Sequence, residues 1–263
     1  MLMGADAADS AYRAYATALD LDPIDMITLE GFVRAATAAR QEDDAERRLR
    51  AIIQSRGAET TLTGSDPLSR QVSRGQTPAR VSLAELLGIR GRFDEATAVA
   101  TEATRLAPGD PTAWEQLASL QADRGDADRL RQATEVLQRE FPDRAASWYF
   151  AASERFLRGD VASALPLVRR AIELDASYAD AHNLLGAILA TAGDISAGRD
   201  AFRTSLRLDP RDAVTYVNLA QLELAAGQRD VAADLFAEAL SLDPNSVSAR
   251  EGLAQARSVH TAP

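Results

Sequence analysis

Toward the C-terminal end of the chain, apolar positions recur at helical spacing. Ala232, Phe236 and Ala239 stand four and three residues apart, on one face of a helix, and Leu242-Asp243-Pro244 ends that helix because the residue before proline is pushed out of the α region. The ending recurs at a fixed interval. Steps of 34 residues back from Pro244 reach Pro210, Ala176, Pro142 and Pro108, and the residue 17 before each of these anchors is Gly227, Gly193, Gly159, Gly125 and Gly91. Glycine at every such position describes a solenoid of helix pairs, each unable to bury its apolar face alone and so stacked on its neighbours.

Further columns share the period. Twenty-eight residues before the anchors stand Arg80, Trp114, Trp148, His182 and Tyr216, and three residues further on Leu83, Leu117, Ala151, Leu185 and Leu219. The next column must be small, where the two helices of a pair cross: Ala84, Ala118, Ala152, Gly186 and Ala220. Facing it from the second helix are Ala96, Leu130, Ala164, Gly198 and Ala232, so the repeat ending at Pro142 is the loosest copy. These columns resemble the tetratricopeptide repeat family, with Arg80 and His182 departing from its aromatic preference. The resemblance implies an all-α, right-handed solenoid of stacked antiparallel helix pairs with a C-terminal capping helix.

In chain order, one solenoid domain is expected over residues 1–263. Residues 5–22 form a partial repeat, a second helix at 5–21 without its partner, on which Ala11, Tyr15, Ala18 and Leu21 match the columns. A degenerate repeat follows at 25–57, carrying Phe32, Val33, Ala45, Leu49 and Ile52, with Arg40 at the place of the turn glycine. Its helices are expected near 25–39 and 42–56, the second opened by Glu42-Asp43-Asp44 and stopped by Gly57. The register then breaks over an insertion at 58–76, which reads either as a surface excursion or as a contact segment, with Asp66-Pro67 able to start a short helix through Val72. Thr77-Pro78 supplies an N-cap and a first-turn proline, and five regular repeats run from 77 to 244.

First helices of those repeats are expected near 78–90, 111–124, 145–158, 179–192 and 213–226, and second helices near 93–107, 127–140, 161–174, 195–208 and 229–242. Asp126, Asp160 and Asp194, each directly after a turn glycine, are placed to cap second helices. A capping helix closes the array at 245–258, with Leu253 and Ala254 inward and Arg250, Glu251 and Arg257 outward, and Ser258 to Pro263 fray.

Composition narrows the function. The net charge of −10 argues against nucleic acid, which needs a basic face, and against anionic membranes. All basic residues are arginine, in line with a GC-rich bacterial coding bias, and the absence of cysteine removes disulfides and thiolate chemistry. No run is apolar enough to span a membrane, and Met1-Leu2-Met3-Gly4 lacks the form of a signal peptide. Cytoplasmic is therefore the default location, with a periplasmic or secreted one open if a leader has been removed. Of the two histidines, His260 lies in the tail and His182 in a packing column. No metal, phosphate-loop or nucleophile motif is present, so neither enzyme activity nor a cofactor is expected.

Binding remains. The family resemblance implies that first helices line a concave groove, which here takes Glu85 and Glu115 upstream, then Tyr149, Ser153 and Phe156, Asn183, and finally Val217, Gln221 and Leu224. Such a groove grades from acidic to apolar and amide-bearing, suiting a protein or peptide segment with an apolar stretch and a basic flank. The clamp of cations and asparagines by which some family members hold a chaperone's C-terminal carboxylate is missing, which argues against that function: Asn183 and Asn218 lie on first helices, but the neighbouring groove positions carry Glu85, Glu115, Ser119, Ser153 and Ala187 instead of cations. Two alternatives stay open: an accessory arm of a larger enzyme or export or assembly complex, and a self-assembling scaffold. For the latter, an incompletely covered helix at 5–21, with Tyr15, Leu19 and Met1 to Met3, suggests a homodimer through the N-terminal end.

Overall fold

A computed structural model of the chain describes residues 2–22, 25–58 and 76–258, and these form fourteen helices and no strand. They are α1 (Leu2–Leu21), α2 (Met26–Ala39), α3 (Glu42–Ala58), α4 (Thr77–Ile89), α5 (Phe93–Leu106), α6 (Pro111–Asp123) and α7 (Ala127–Glu140), followed by α8 (Ala145–Leu157), α9 (Val161–Leu174), α10 (Ala179–Thr191), α11 (Ile195–Leu208), α12 (Ala213–Ala225), α13 (Arg229–Leu242) and α14 (Val247–Arg257). The chain divides into two compact units, Met1–Glu140 and Phe141–Pro263. Within each unit every described helix packs on the next, and first helices also pack on first helices: α2 on α4 and α4 on α6, then α8 on α10, α10 on α12 and α12 on α14. This is the contact pattern of an α-solenoid.

The turns within pairs explain the glycine column. All five turn glycines have positive φ, between 67° and 87°, a left-handed conformation in which a side chain crowds the backbone. Arg40 takes the same place in the degenerate repeat and the same conformation, with φ 56° and ψ 42°. Directly after the glycines, the side chains of Asp126, Asp160 and Asp194 accept from the N–H groups of Arg129, Ser163 and Ala197, which caps α7, α9 and α11. Before first helices, Asp25, Asp110 and Asp212 accept from Thr28, Thr112 and Val214 in the same way.

The crossing columns are buried in every regular repeat, Ala84 against Ala96 through Ala220 against Ala232. Glycine leaves room where an aromatic ring takes the space: a Cβ on Gly186 would lie 2.6 Å from the Phe202 ring, on Gly252 2.3 Å from Phe236, and on Gly31 2.3 Å from Tyr15. The bulky first-helix column does a second task. Trp114 and Trp148 donate their Nε1–H to the carbonyls of Pro108 and Pro142 at 3.0 and 2.7 Å, tying each first helix to the anchor that precedes it. His182 Nε2 meets the Ala176 carbonyl at 3.0 Å, and Arg250 donates to that of Pro244 at 3.1 Å. His182 thus departs from the aromatic preference but keeps the nitrogen that the position uses.

Ion pairs join successive repeats. In the first unit the half-buried Glu46 accepts from Arg50 of its own helix and from Arg90 and Arg92 of the next repeat at 2.8, 2.6 and 2.6 Å. Tyr12 donates to Asp44 at 2.6 Å, and this bond, with that from Arg48, holds the Asp44 carboxyl down to about 2. A depressed carboxyl stabilises the fold above its unfolded value of 3.8 and loses that contribution as pH falls toward 2. In the second unit Arg199 grips the buried Glu223 with two bonds of 2.5 and 2.8 Å.

Several details differ from the expectation. Thr77 caps nothing: Gln76 holds the cap position without a side-chain bond to the first-turn N–H groups, and the Thr77 hydroxyl is buried with no partner among the described residues. Helix α3 does not stop at Gly57 but runs to Ala58. Leu19, expected at an open face, is buried with Tyr12 and Ala16 in the core of the first unit, and Tyr15 is half-buried against Gly31, because α2 packs along that face of α1 and α3 meets it through Asp44. On α14 the inward residues are Ala249, Leu253 and Ala256 while Ala254 is exposed, one helical step from the expected pair. The insertion, with its short helix after Asp66, lies outside the described residues apart from Ala58 and Gln76, and so do the side chains of Met1 to Met3 and the tail beyond Ser258.

Replacing Gly186 with leucine drives a side chain into the Phe202 ring and is expected to destabilise the protein by about 1–3 kcal/mol in urea unfolding. Arg40→Gly has the opposite sign. Relief of left-handed strain outweighs the added freedom of the unfolded chain, so stability in the same assay rises by roughly 0.5–1 kcal/mol.

Candidate binding surface

In the second unit, α8, α10 and α12 present one side of the first-helix row. A cleft of about 430 Å³ opens there, lined by Phe156 of α8, Ala187, Ala190 and Thr191 of α10, Ile195 and Phe202 of α11, and Asn218, Gln221, Leu222 and Ala225 of α12. Its lining is mostly apolar, with Thr191, Asn218 and Gln221 as the polar members. Asn218 donates its Nδ2–H to Asn183 Oδ1 at 2.9 Å across adjacent first helices. Whichever way the two amides are turned, one carbonyl oxygen and one NH₂ group remain beyond that bond.

The expected groove residues are distributed unevenly. Phe156 and Gln221 line the cleft, and Asn183 joins it through Asn218. Tyr149 is half-buried, its ring 5.0 Å from that of Phe150 and 5.1 Å from that of Tyr178. Ser153 is buried, its hydroxyl donating to the Tyr149 carbonyl one turn back at 3.0 Å. Val217 is buried in the core of the second unit, where the half-buried Leu224 also packs. Sequence reasoning missed Ile195, Phe202 and Leu222, since residues of the packing columns show one edge to the cleft while the rest of each side chain serves the core.

In the first unit Glu85 and Glu115 are half-buried on α4 and α6. Burial pushes the Glu85 carboxyl above its ordinary value, and the negative charge of Glu30 on α2 adds to this, while Arg34 opposes it. Among the described residues, no group of three or more His, Asp or Glu side chains is placed to hold a metal ion, and no helix is long and apolar enough to cross a membrane.

Profiles described as tetratricopeptide repeat match residues 78–120, 151–213 and 213–256, together more than half of the chain. The chain belongs to the tetratricopeptide repeat family. Arrays of this family are protein-interaction scaffolds. Among solved structures, this array is similar to a chain of the APC/C hetero-tetramer Cut9-Hcn1, with TM-score 0.68 and 18% identity over 95% of its length, but it spans only 46% of that chain. It is also similar to TTC0263, a thermophilic TPR protein of Thermus thermophilus (TM-score 0.62, 22% identity, 68% of this chain and 98% of the other). Yeast Tom70 resembles it at TM-score 0.57 and 16% identity, over 96% of this chain and 58% of the other. Likeness at such identities is one of fold alone. No curated protein matches the chain in sequence.

The state of Glu85 is open to measurement. An acid whose folded value is raised costs stability when ionised, and that cost vanishes as pH falls through the folded value. Glu85→Gln is therefore expected to raise Tm at pH 7.5, with the gain gone near pH 4, in paired thermal melts.

Proposed function

We propose that the second unit binds an extended peptide segment along α8, α10 and α12. The observation that carries this reading is the apolar cleft beside the Asn183–Asn218 pair. An aliphatic or aromatic side chain of the ligand enters between Phe156 and Leu222. The remaining amide groups of Asn183 and Asn218, with Gln221, each offer both a donor and an acceptor, which is what a peptide main chain requires. Side chains deliver the affinity and amides fix the register. Catalysis has no part in this reading, which is one of non-catalytic protein binding in a free scaffold or in an accessory arm of a larger complex.

Peptides selected from a random display library on the full chain supply the probe. Asn218→Ala and Gln221→Ala should each weaken a selected peptide about tenfold in calorimetric titration, which is about 1.4 kcal/mol. Glu238→Ala, on the exposed side of α13, should leave the affinity unchanged. Selected peptides indifferent to both groove variants would place the site elsewhere.

Self-association through the N-terminal end is a second reading, carried by a different observation. Leu21 is 85% and Ile27 79% exposed, on the adjoining ends of α1 and α2. Two-fold pairing would cover them. Light scattering should then show a concentration-dependent dimer that Leu21→Ser/Ile27→Ser converts to a monomer; a monomer at every concentration for the unaltered chain rules the dimer out.

A further inference from the structure

A second cavity, of about 280 Å³, lies in the first unit among α3, α4 and α5. Ile53, Leu83 and Val99 form an apolar wall, and Arg50, Arg80 and Glu102 are its charged lining. It sits at the column where other repeats carry Trp114 and Trp148, and here the residue is Arg80. The three charges are not equally engaged. Arg50 is paired with Glu46 and Glu95, and Glu102 takes two bonds of 2.7 and 2.8 Å from Arg105. Arg80 donates at 3.0 Å to the neutral Gln76 Oε1 and forms no ion pair among the described residues. Burial of the half-buried guanidinium lowers its proton affinity, and the charge of Arg105 adds to this, while the Glu102 carboxylate opposes it. The Gln76 amide that holds it keeps a buried Nε2 with no acceptor among the described residues. Donors therefore exceed acceptors at this point, next to an apolar wall.

We propose that this cavity binds a small aliphatic monocarboxylate, its carboxylate on the Arg80 guanidinium and its hydrocarbon tail against Ile53, Leu83 and Val99. Arginine meets a carboxylate with two parallel N–H bonds, an arrangement that neither the single bond to Gln76 nor a neutral ligand reproduces. A phosphate would satisfy the cation but leave the apolar wall wet, and a hydrocarbon without a charged head would leave the guanidinium unpaired in a partly dry site. The acid satisfies both. A net-acidic protein presenting a desolvated arginine in this way selects for one negative charge and disfavours polyanions.

Hexanoate is the probe and hexanamide its uncharged match, titrated into the full chain with amide chemical shifts as the readout. Saturable shifts with hexanoate at residues of α3 to α5, at least tenfold weaker with hexanamide, are expected. Arg80→Met should remove the preference for the acid. Arg80→Trp, which places in this column the residue found at 114 and 148, should fill the cavity, raise Tm and abolish binding. Absence of saturation up to ~10 mM hexanoate, equal binding of acid and amide, or binding that survives Arg80→Trp would each overturn the proposal. A gain of stability in Arg80→Trp without hexanoate binding by the unaltered chain would show the cavity to be only a gap in packing, which also overturns it.

Discussion

The close crossing of two helices within a pair is the contact on which each unit rests. Backbones approach only where neither helix carries a large side chain, and alanine or glycine stands at the crossing in nearly every repeat, as in Ala84 with Ala96 or Gly186 with Gly198. At Gly198 the clearance is such that an added Cβ would already lie 3.1 Å from the Gly186 carbonyl oxygen. Around each crossing the larger residues, Phe202 and Phe236 among them, fill the flanks, and burying such a ring contributes about 1.5–3 kcal/mol. The repeat with Leu130 at this point is the variant copy. The division between the two units falls directly after it, between Glu140 and Phe141.

A close crossing fixes the turn that joins the two helices. Their ends come so near that one residue must reverse the chain in a left-handed conformation, which glycine adopts without strain and Arg40 adopts against it. Aspartate after the glycine satisfies N–H groups that the turn exposes. The bulky residue of the first helix ties the pair back to the preceding anchor carbonyl through a ring or guanidinium N–H. That bond explains why histidine substitutes for tryptophan at 182 while the packing is kept. Arg80, in the same column, donates to Gln76 Oε1, and a cavity lies beside it.

Function follows from what this packing leaves over. Second helices spend their apolar face on the pair and on the next repeat. The sides of first helices turned away from that packing are free to carry whatever side chains a ligand requires. On α8, α10 and α12 those include the small residues Ala187 and Ala190, the amides of Asn218 and Gln221 and the ring of Phe156.

Much of this was written in the sequence. Period, turn positions, crossing columns and the ends of second helices from α7 onward follow from local rules, because each repeat must solve the same packing problem within 34 residues and the chain states the solution five times. The residues of the candidate surface were legible only in part. Phe156 and Gln221 follow from the register, but Ser153 and Val217 belong by the same register to the groove and are buried, since neighbouring helices close over them. The Asn183–Asn218 bond, the place of Phe202 in the cleft lining and the bond of Arg80 to Gln76 depend on distances between repeats and on the rotamers that each neighbour permits. A one-dimensional pattern fixes which face a residue occupies; how far that face is covered is decided by the volumes packed against it, and those are set only in three dimensions.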